Sequence, residues 1–360
     1  MCHNMTVTSS DDAGGGLRGS RATLTRDLIR TLHNAYGIEP CSTCVDLGGS
    51  SSLNLLVPSN HARYVVRVYR PYVSCARLEA IHRVRRILTA QGIPCAIPIT
   101  TLDGQTWTTL RDRVVEVEPY IEHDGYLNTL ERMAIGLPLL GQIHSILQTI
   151  EVNSAGRRPL FANFLSPDET WHMTLKGCSR IRSWEATGNL SRIADCAEEL
   201  AGLVTELDRE RLDALPTQLV HGDYWDNNVL FDNHVIALVT DFDYMGERMR
   251  IDDLALTLYF ANDCCDTDDD SDARIKQMVW MTQKYEQGLD VPLSEAERRA
   301  VPLALARQPL WSIGGWVALL DDEQSARRHA SDMLWSLQGS IEILSNLEQW
   351  QDAILDAPRS

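Results

Sequence analysis

One segment of this chain constrains its fold more than any other. Leu219-Val220-His221-Gly222-Asp223-Tyr224-Trp225-Asp226-Asn227-Asn228-Val229-Leu230 runs from an apolar strand into a His-Gly-Asp turn and sets Asn228 five residues after Asp223. Two apolar runs then flank Asp232-Asn233-His234, the signature of a β-hairpin, and the second run leads into Asp241-Phe242-Asp243. A hairpin that leaves at Asn228 and returns at Asp241 delivers both side chains to one open end, beside the Asp223 turn. Phosphoryl transfer uses such a set: an Asp that orients a hydroxyl and accepts its proton, with an Asn and an Asp holding Mg²⁺ through hard oxygen ligands. Asn and Asp near a hairpin are also ordinary turn formers. The three in this order around one hairpin favour the chemical reading. His221 reads as a residue that fixes the turn, because Asp223 already supplies the base.

The rest of the chain must build a body around that hairpin. Its 360 residues are enough for about two domains. With 44% hydrophobic and 23% charged residues the composition is that of a globular protein. Fifty acidic against 33 basic residues leave a formal charge of −17, which repels nucleic acid and anionic lipid and tolerates cationic ligands. Nine cysteines and an N-terminus without a signal-peptide pattern point to the reducing cytoplasm. The best apolar stretch, Leu310 to Leu320, is about half of the ~20 residues that span a bilayer. Cys41-x-x-Cys44 and Cys264-Cys265 lack a second Cys/His pair at zinc-site spacing and read as incidental thiols.

Along the chain, residues 1–21 are rich in Ser, Asp and Gly and read as a disordered tail. Gly14-x-Gly16-x-x-Gly19 inside it follows no apolar strand, so it is not a dinucleotide-binding turn. Helical spacing over Leu24 to Tyr36 and Cys75 to Leu88 brackets strand-like runs at Val45–Leu47, Leu53–Val57 and Tyr64–Tyr69. Two more runs, Trp107–Leu110 and Val114–Val117, complete a small antiparallel sheet. Between the first two strands lies the small-residue turn Gly48-Gly49-Ser50-Ser51-Ser52, a candidate cover for phosphates. After Pro119 helical periods take over: Leu130–Gln148, Leu190–Leu207, Asp252–Cys264, Ala273–Leu289, Glu295–Ala306 and Ser331–Ala353.

The catalytic segment, with Asp253-Leu254-Ala255 after it, resembles the motif region of the aminoglycoside phosphotransferase and choline kinase-like superfamily, its homoserine kinase type II-like branch in particular. The resemblance is most specific over Leu219 to Thr257, weaker over Asp46 to His144, and fades after Ala261. It implies an α+β, bilobal protein-kinase-like fold: a small N-terminal antiparallel sheet lobe (22–118), a hinge (119–121) and a larger helical C-terminal lobe (122–360). It also implies ATP in the cleft, with GTP left open, and Mg²⁺. By position Asp223 corresponds to the catalytic Asp, Asn228 and Asp241 to the metal ligands, and Gly48, Gly49, Ser50, Ser51 and Ser52 to the loop above the phosphates. Arg67 stands where the family places a phosphate-pairing lysine, with Glu79 on the next helix as its partner. Arginine's longer planar fork is not equivalent to lysine. Main-chain groups of Glu118 and Tyr120 would meet adenine, while His144 reads as structural and Asp253 as a helix-start carboxylate bonded to the catalytic loop.

Only nine residues separate Asp243 from Asp253, with no Ala-Pro-Glu element, so there is no long loop for docking a peptide and the acceptor is a small hydroxylated molecule. The helical lobe supplies Asp263, Asp266, Asp268, Asp269, Asp270 and Asp272, with Trp311 and Trp316 further on. An acidic rim and indole rings would suit a cationic or sugar-containing acceptor, which favours an antibiotic or secondary metabolite, in resistance or self-protection. An Asp run is equally a solvated loop, and the tryptophans equally core. The alternatives are a metabolic enzyme such as a homoserine kinase and a catalytically silent nucleotide-binding module. The joint presence of Asp223, Asn228 and Asp241 speaks against the last.

Overall fold

The structure, a computed structural model, describes residues 21–49, 52–160, 164–184, 188–211, 215–261 and 271–358. The first sheet contains β1 (Val45–Asp46), β2 (Leu53–Pro58), β3 (Arg63–Val68), β4 (Thr108–Leu110) and β5 (Arg113–Pro119), antiparallel in the order β1-β2-β3-β5-β4. Strand alternation gives this sheet two unlike faces. One is apolar: Leu53, Leu55, Val57, Val66, Val68, Val115 and Val117 pack under α1 (Arg26–Tyr36), which contributes Leu28, Leu32 and Tyr36. That helix starts at Thr25, whose hydroxyl accepts from the Leu28 amide, and stops at Gly37 in the left-handed conformation. The other face carries Arg67, Glu116 and Glu118, all buried, and meets α2 (Cys75–Ala90).

Beyond β5 the chain crosses to a second sheet, made of β6 (Gly125–Tyr126), β8 (Val229–Asp232) and β9 (Val235–Val239). The two long strands are the hairpin expected from the sequence. Between β6 and the hairpin come α3 (Leu130–Leu147), α4 (Ser154–Arg157), α5 (Pro167–Ser183), α6 (Asn189–Arg211) and β7 (Thr217–Val220). After it come β10 (Gly246–Met249), antiparallel to β7, then α7 (Arg250–Ala261), α8 (Ser271–Glu286) and α9 (Glu295–Ala306). α10 (Pro309–Trp311), α11 (Glu323–Ala330), α12 (Met333–Ser345) and α13 (Leu347–Asp356) end the chain. One continuous apolar core joins α3, α5, α6, α7, α9 and α12 with the inner face of the hairpin. The α+β character read from the sequence is what the structure has.

Departures from the expected elements have local causes. The apolar stretch from Leu310 to Leu320, for which no element was expected, includes a π-helical turn at Ser312–Val317, wholly buried. Ser331 to Ala353 divides at Asn346, whose backbone leaves the helical region at φ −118°, ψ 28°. Among the described residues no helix is long and apolar enough to cross a membrane. Cys41 and Cys44 are free thiols, and Cys264 and Cys265 lie outside the described residues.

Because Leu32 is fully buried between α1 and the sheet, Leu32→Ala should destabilise the chain by about 2–5 kcal/mol in urea unfolding followed by circular dichroism.

Candidate active site

The His-Gly-Asp turn owes its shape to one buried carboxylate. Asp253, in the first turn of α7, accepts the amides of His221 and Gly222, each at 3.0 Å, and His144 Nε2, also at 3.0 Å. His144 Nδ1 in turn accepts from the Tyr285 hydroxyl at 2.7 Å. Burial alone would raise the Asp253 carboxyl; these donors outweigh it and hold it below the usual carboxylate range. Gly222 has φ +84°, and a Cβ there would stand 2.1 Å from the Tyr244 carbonyl, so the turn admits only glycine. His221 Nδ1 accepts the Asp223 amide at 3.2 Å, so its Nε2 carries the proton donated to the Thr240 carbonyl at 3.0 Å. Burial lowers its pKa, and a neutral ring with both nitrogens engaged is a brace rather than a base.

This brace sets the side chains around the cleft. Asn228 Nδ2 donates to Asp223 Oδ2 at 2.7 Å and to the Asp223 carbonyl at 2.8 Å. The Thr240 amide donates to the Asn228 carbonyl at 2.9 Å, which brings Asp241 level with Asn228 across the hairpin mouth. Asp241 itself is left-handed, φ 63° and ψ 61°, the geometry that turns its side chain out of the strand direction. Asp243 lies behind it, accepting from Ser52 Oγ at 3.3 Å. Burial first, then the charge of Asp241, pushes the carboxyls of both Asp223 and Asp243 well above the ordinary range.

Arg67 is the cation set against these carboxylates. Its Nη1 lies 3.2 Å from Asp241 Oδ1 and 3.8 Å from Asp243 Oδ1, and its Nη2 donates to Thr240 Oγ1 at 3.0 Å. On its other side Glu116 Oε1 is 3.8 Å from Arg67 Nε. Glu116 is bound in turn by His82 Nε2 at 2.5 Å, Tyr69 at 2.5 Å and Arg85 Nη1 at 3.2 Å, and these partners hold it well below the carboxylate range despite complete burial. Arg85 also reaches Glu118 at 3.0 Å, whose carboxyl burial and the Glu116 charge raise to about 7.

The expected pairing of Glu79 with Arg67 is therefore corrected. Glu79 is exposed on the outer face of α2, next to Arg83. The helical phase that buries Leu78, Ile81, His82 and Arg85 turns position 79 away from the sheet. Glu116, from the neighbouring strand, holds the place beside Arg67 instead. A second correction concerns Tyr120: its amide donates to the Arg63 carbonyl at 3.0 Å, continuing the ladder past β5, so that amide is not free for a base. A third concerns Arg21. Assigned to the tail, it binds both oxygens of Asp46 at 2.6 and 2.7 Å and the carbonyls of Gly48 and Ser52 at 2.9 and 3.0 Å, bracing the small-residue loop.

A cleft of about 840 Å³ opens between the sheet and the hairpin. Gly48, Gly49, Arg67, Glu118, Tyr120, Asn228 and Asp241 line it. Gly48 and Gly49 take φ of 91° and 99°, which keeps their backbone free of side chains over the opening. Ser50 and Ser51 lie outside the described residues, and Ser52 is buried beneath the loop. Among the described residues no three His, Cys, Asp or Glu side chains converge on a metal position. Asp241 Oδ1 is buried and accepts no hydrogen bond, its contact with Arg67 Nη1 at 3.2 Å being an ion pair, so a hard cation would have to share that oxygen with the guanidinium. Sequence reasoning missed Arg77. Its guanidinium donates to the Asp243 carbonyl at 2.7 and 3.1 Å, to Met245 at 2.5 Å, and to Ala155 and Arg158 at 2.8 and 2.9 Å.

Comparison with known proteins follows the same lines. A profile of the phosphotransferase enzyme family (APH) matches residues 44–279. A homoserine kinase of Rhodospirillum rubrum is 26% identical over 295 residues, covering 78% of this chain and 81% of its own. A homoserine kinase of Afipia carboxidovorans is 25% identical over 266 residues, covering 72% and 73%. Among solved structures, an amicoumacin kinase in complex with AMP-PNP and Ca²⁺ superposes with a TM-score of 0.64 at 15% identity, over 89% of this chain and 92% of its own. A spectinomycin phosphotransferase in complex with ADP and spectinomycin gives 0.58 at 15% identity, over 92% and 99%. These two share the fold, so the bilobal kinase-like architecture implied by the sequence holds.

A carboxyl whose folded pKa lies above its unfolded value adds most stability below the unfolded value and loses it as pH rises through the folded one. Asp223 is such a group. Asp223→Asn should therefore stabilise the chain at pH 7, by about 0.5–2 kcal/mol. In urea titrations at several pH values the gain should shrink towards the ordinary aspartate range.

Proposed function

The chain belongs to the phosphotransferase enzyme family and is a small-molecule kinase with a hydroxyl acceptor, and from that premise we propose the residues that carry the transfer. ATP occupies the cleft beneath Gly48 and Gly49. Asn228 and Asp241 would hold Mg²⁺, whose charge would offset that of the phosphates. Asp223 aligns the acceptor hydroxyl with the γ-phosphorus and takes its proton. A bond forms between acceptor oxygen and γ-phosphorus, the bond to the β,γ-bridging oxygen breaks, and ADP leaves.

The observation that carries this reading is the shared position of the three groups. Asp223 is tied to Asn228 at 2.7 Å, and Asn228 is tied through its carbonyl to the residue before Asp241 at 2.9 Å. The raised pKa of Asp223 suits a proton acceptor, and its bond from Asn228 fixes which oxygen faces the acceptor. Arg67, already against Asp241, supplies the fixed positive charge on the nucleotide side. Most of the rate then comes from positioning and charge neutralisation.

For the acceptor, the antibiotic reading loses part of its support. Trp316 is core, stacked on His329 at 4.8 Å; residues 262–270, which hold most of the Asp run, lie outside the described residues and weigh on neither side. Similarity to the homoserine kinases extends through the sequence, whereas similarity to the antibiotic kinases is one of fold. The metabolic reading, a small hydroxylated metabolite as acceptor, is the one we favour.

Asp223→Ala should lower acceptor-stimulated ADP release by about 10²–10⁴-fold with little change in ATP affinity. Asp241→Ala should instead remove the Mg²⁺ dependence of ATP binding in calorimetry. Normal turnover in the Asp223 variant overturns the assignment, and ATP binding that no acceptor converts to ADP release favours a silent module.

A further inference from the structure

The cleft between the sheet and the hairpin has two chemically unlike ends. Arg67, Asn228 and Asp241 stand at the hairpin mouth, under Gly48 and Gly49. Leu230 and Leu238 face each other two residues further in from Asn228 and Thr240, roughly 7 Å along the strands. With Ile121 and Ala96 they form an apolar wall, against which a flat base can lie. The segment joining β5 to β6 connects these ends. Tyr126 pairs with Leu230, and the Leu127 amide donates to the Asp226 carbonyl at 3.1 Å, so Tyr126 runs alongside the stretch that carries Asn228. His123 stands between the two regions: its ring centroid is 5.9 Å from that of Tyr120 at the hinge and 5.6 Å from that of Tyr126, and all three line the cleft.

The half-buried imidazole is held in one orientation. Its Nδ1 lies 3.0 Å from the Ile121 carbonyl. A carbonyl only accepts, so Nδ1 carries the proton, and Nε2 of the neutral ring is left as an acceptor. Among the described residues nothing donates to that nitrogen. The flanking ring of Tyr120 is itself fixed, with the Arg63 guanidinium 4.6 Å from its centroid and Arg63 paired with Glu122. In a nucleoside triphosphate the group between base and phosphates is the sugar, and its hydroxyls are hydrogen-bond donors. We propose that His123 is a specificity-determining residue of the kinase: its Nε2 accepts a hydrogen bond from a ribose hydroxyl, so the cleft prefers a ribonucleotide to the deoxy analogue lacking that group. This rests on the reading that ATP occupies the cleft and assigns the side chain that reads its sugar. Because the ring is already oriented, little ordering entropy opposes the contact.

The test titrates the full chain in Mg²⁺ with ATP, 2′-deoxy-ATP and 3′-deoxy-ATP in a calorimeter, which needs no acceptor. ATP should bind roughly three- to tenfold more tightly than at least one deoxy analogue, and the pair of analogues identifies the hydroxyl engaged. His123→Phe keeps a ring between the two tyrosines and removes the acceptor. It should weaken ATP by the same factor and leave the discriminated analogue unchanged, so that the preference vanishes. His123→Gln, which restores an acceptor oxygen, should recover part of it. If His123→Phe does not fold, His123→Ala carries the same comparison. Equal affinities in the unmutated chain, or a variant that weakens all three nucleotides alike, overturn the proposal while the cleft remains the nucleotide site. A preference that survives the substitution also overturns it and hands the hydroxyl to another group, such as the exposed Asn227 in the same cleft. Failure of every nucleotide to bind rejects the cleft reading itself, and this role with it.

Discussion

A single guanidinium, Arg67, lies buried among carboxylates, and the upper and lower parts of the molecule meet through it. It projects from the central strand of the first sheet, while Asp241 and Asp243 come from the segment after the hairpin. Without such a cation the clustered carboxylates would repel one another in a poorly solvated space, and the carboxyls of Asp223 and Asp243 are already displaced upward in its presence. Burying an arginine is itself unfavourable, so Arg67 needs its own support. Glu116 gives it, held by His82, Tyr69 and Arg85. The polar face of the sheet is thus a chain of alternating charges running from α2 to the cleft.

Asp253 performs the corresponding task below. Its two oxygens collect donors from α3 and from the backbone of the turn, so α7, α3 and the His-Gly-Asp segment are registered on one another. The side chains that face the cleft inherit their positions from residues that never touch it. Asp253, Gly222 and His221 fix the backbone turn that carries Asp223.

Much of this was legible in the sequence where local rules govern. The hairpin announced itself through two apolar runs around Asp232-Asn233-His234, and the apolar spacing of Leu24 to Tyr36 marked the helix now seen to cover the sheet. Contacts between buried polar residues far apart in sequence left no such trace. Nothing in the sequence tied His82 and Arg85 to Glu116, because it lies 34 and 31 residues away. The same blindness let Glu79 stand as the partner of Arg67. Asp252 and Arg307 bond to each other although 55 residues separate them, and no periodicity links them. The polar α11 went unread because amphipathic spacing in it is carried by alanines: Ala326 and Ala330 are its buried positions.

Arg77 changes how the body of the molecule can flex. By sequence, α2 belongs with the sheet that precedes it. By attachment it is bolted from its first turn to the carbonyls of Asp243, Met245, Ala155 and Arg158, all on the helical side. Five hydrogen bonds from one buried head group make that end of the helix a fixed post. Any displacement of the strands relative to the helical side would therefore have to act between the strands and α2, at the contacts of Glu116 with His82 and Arg85.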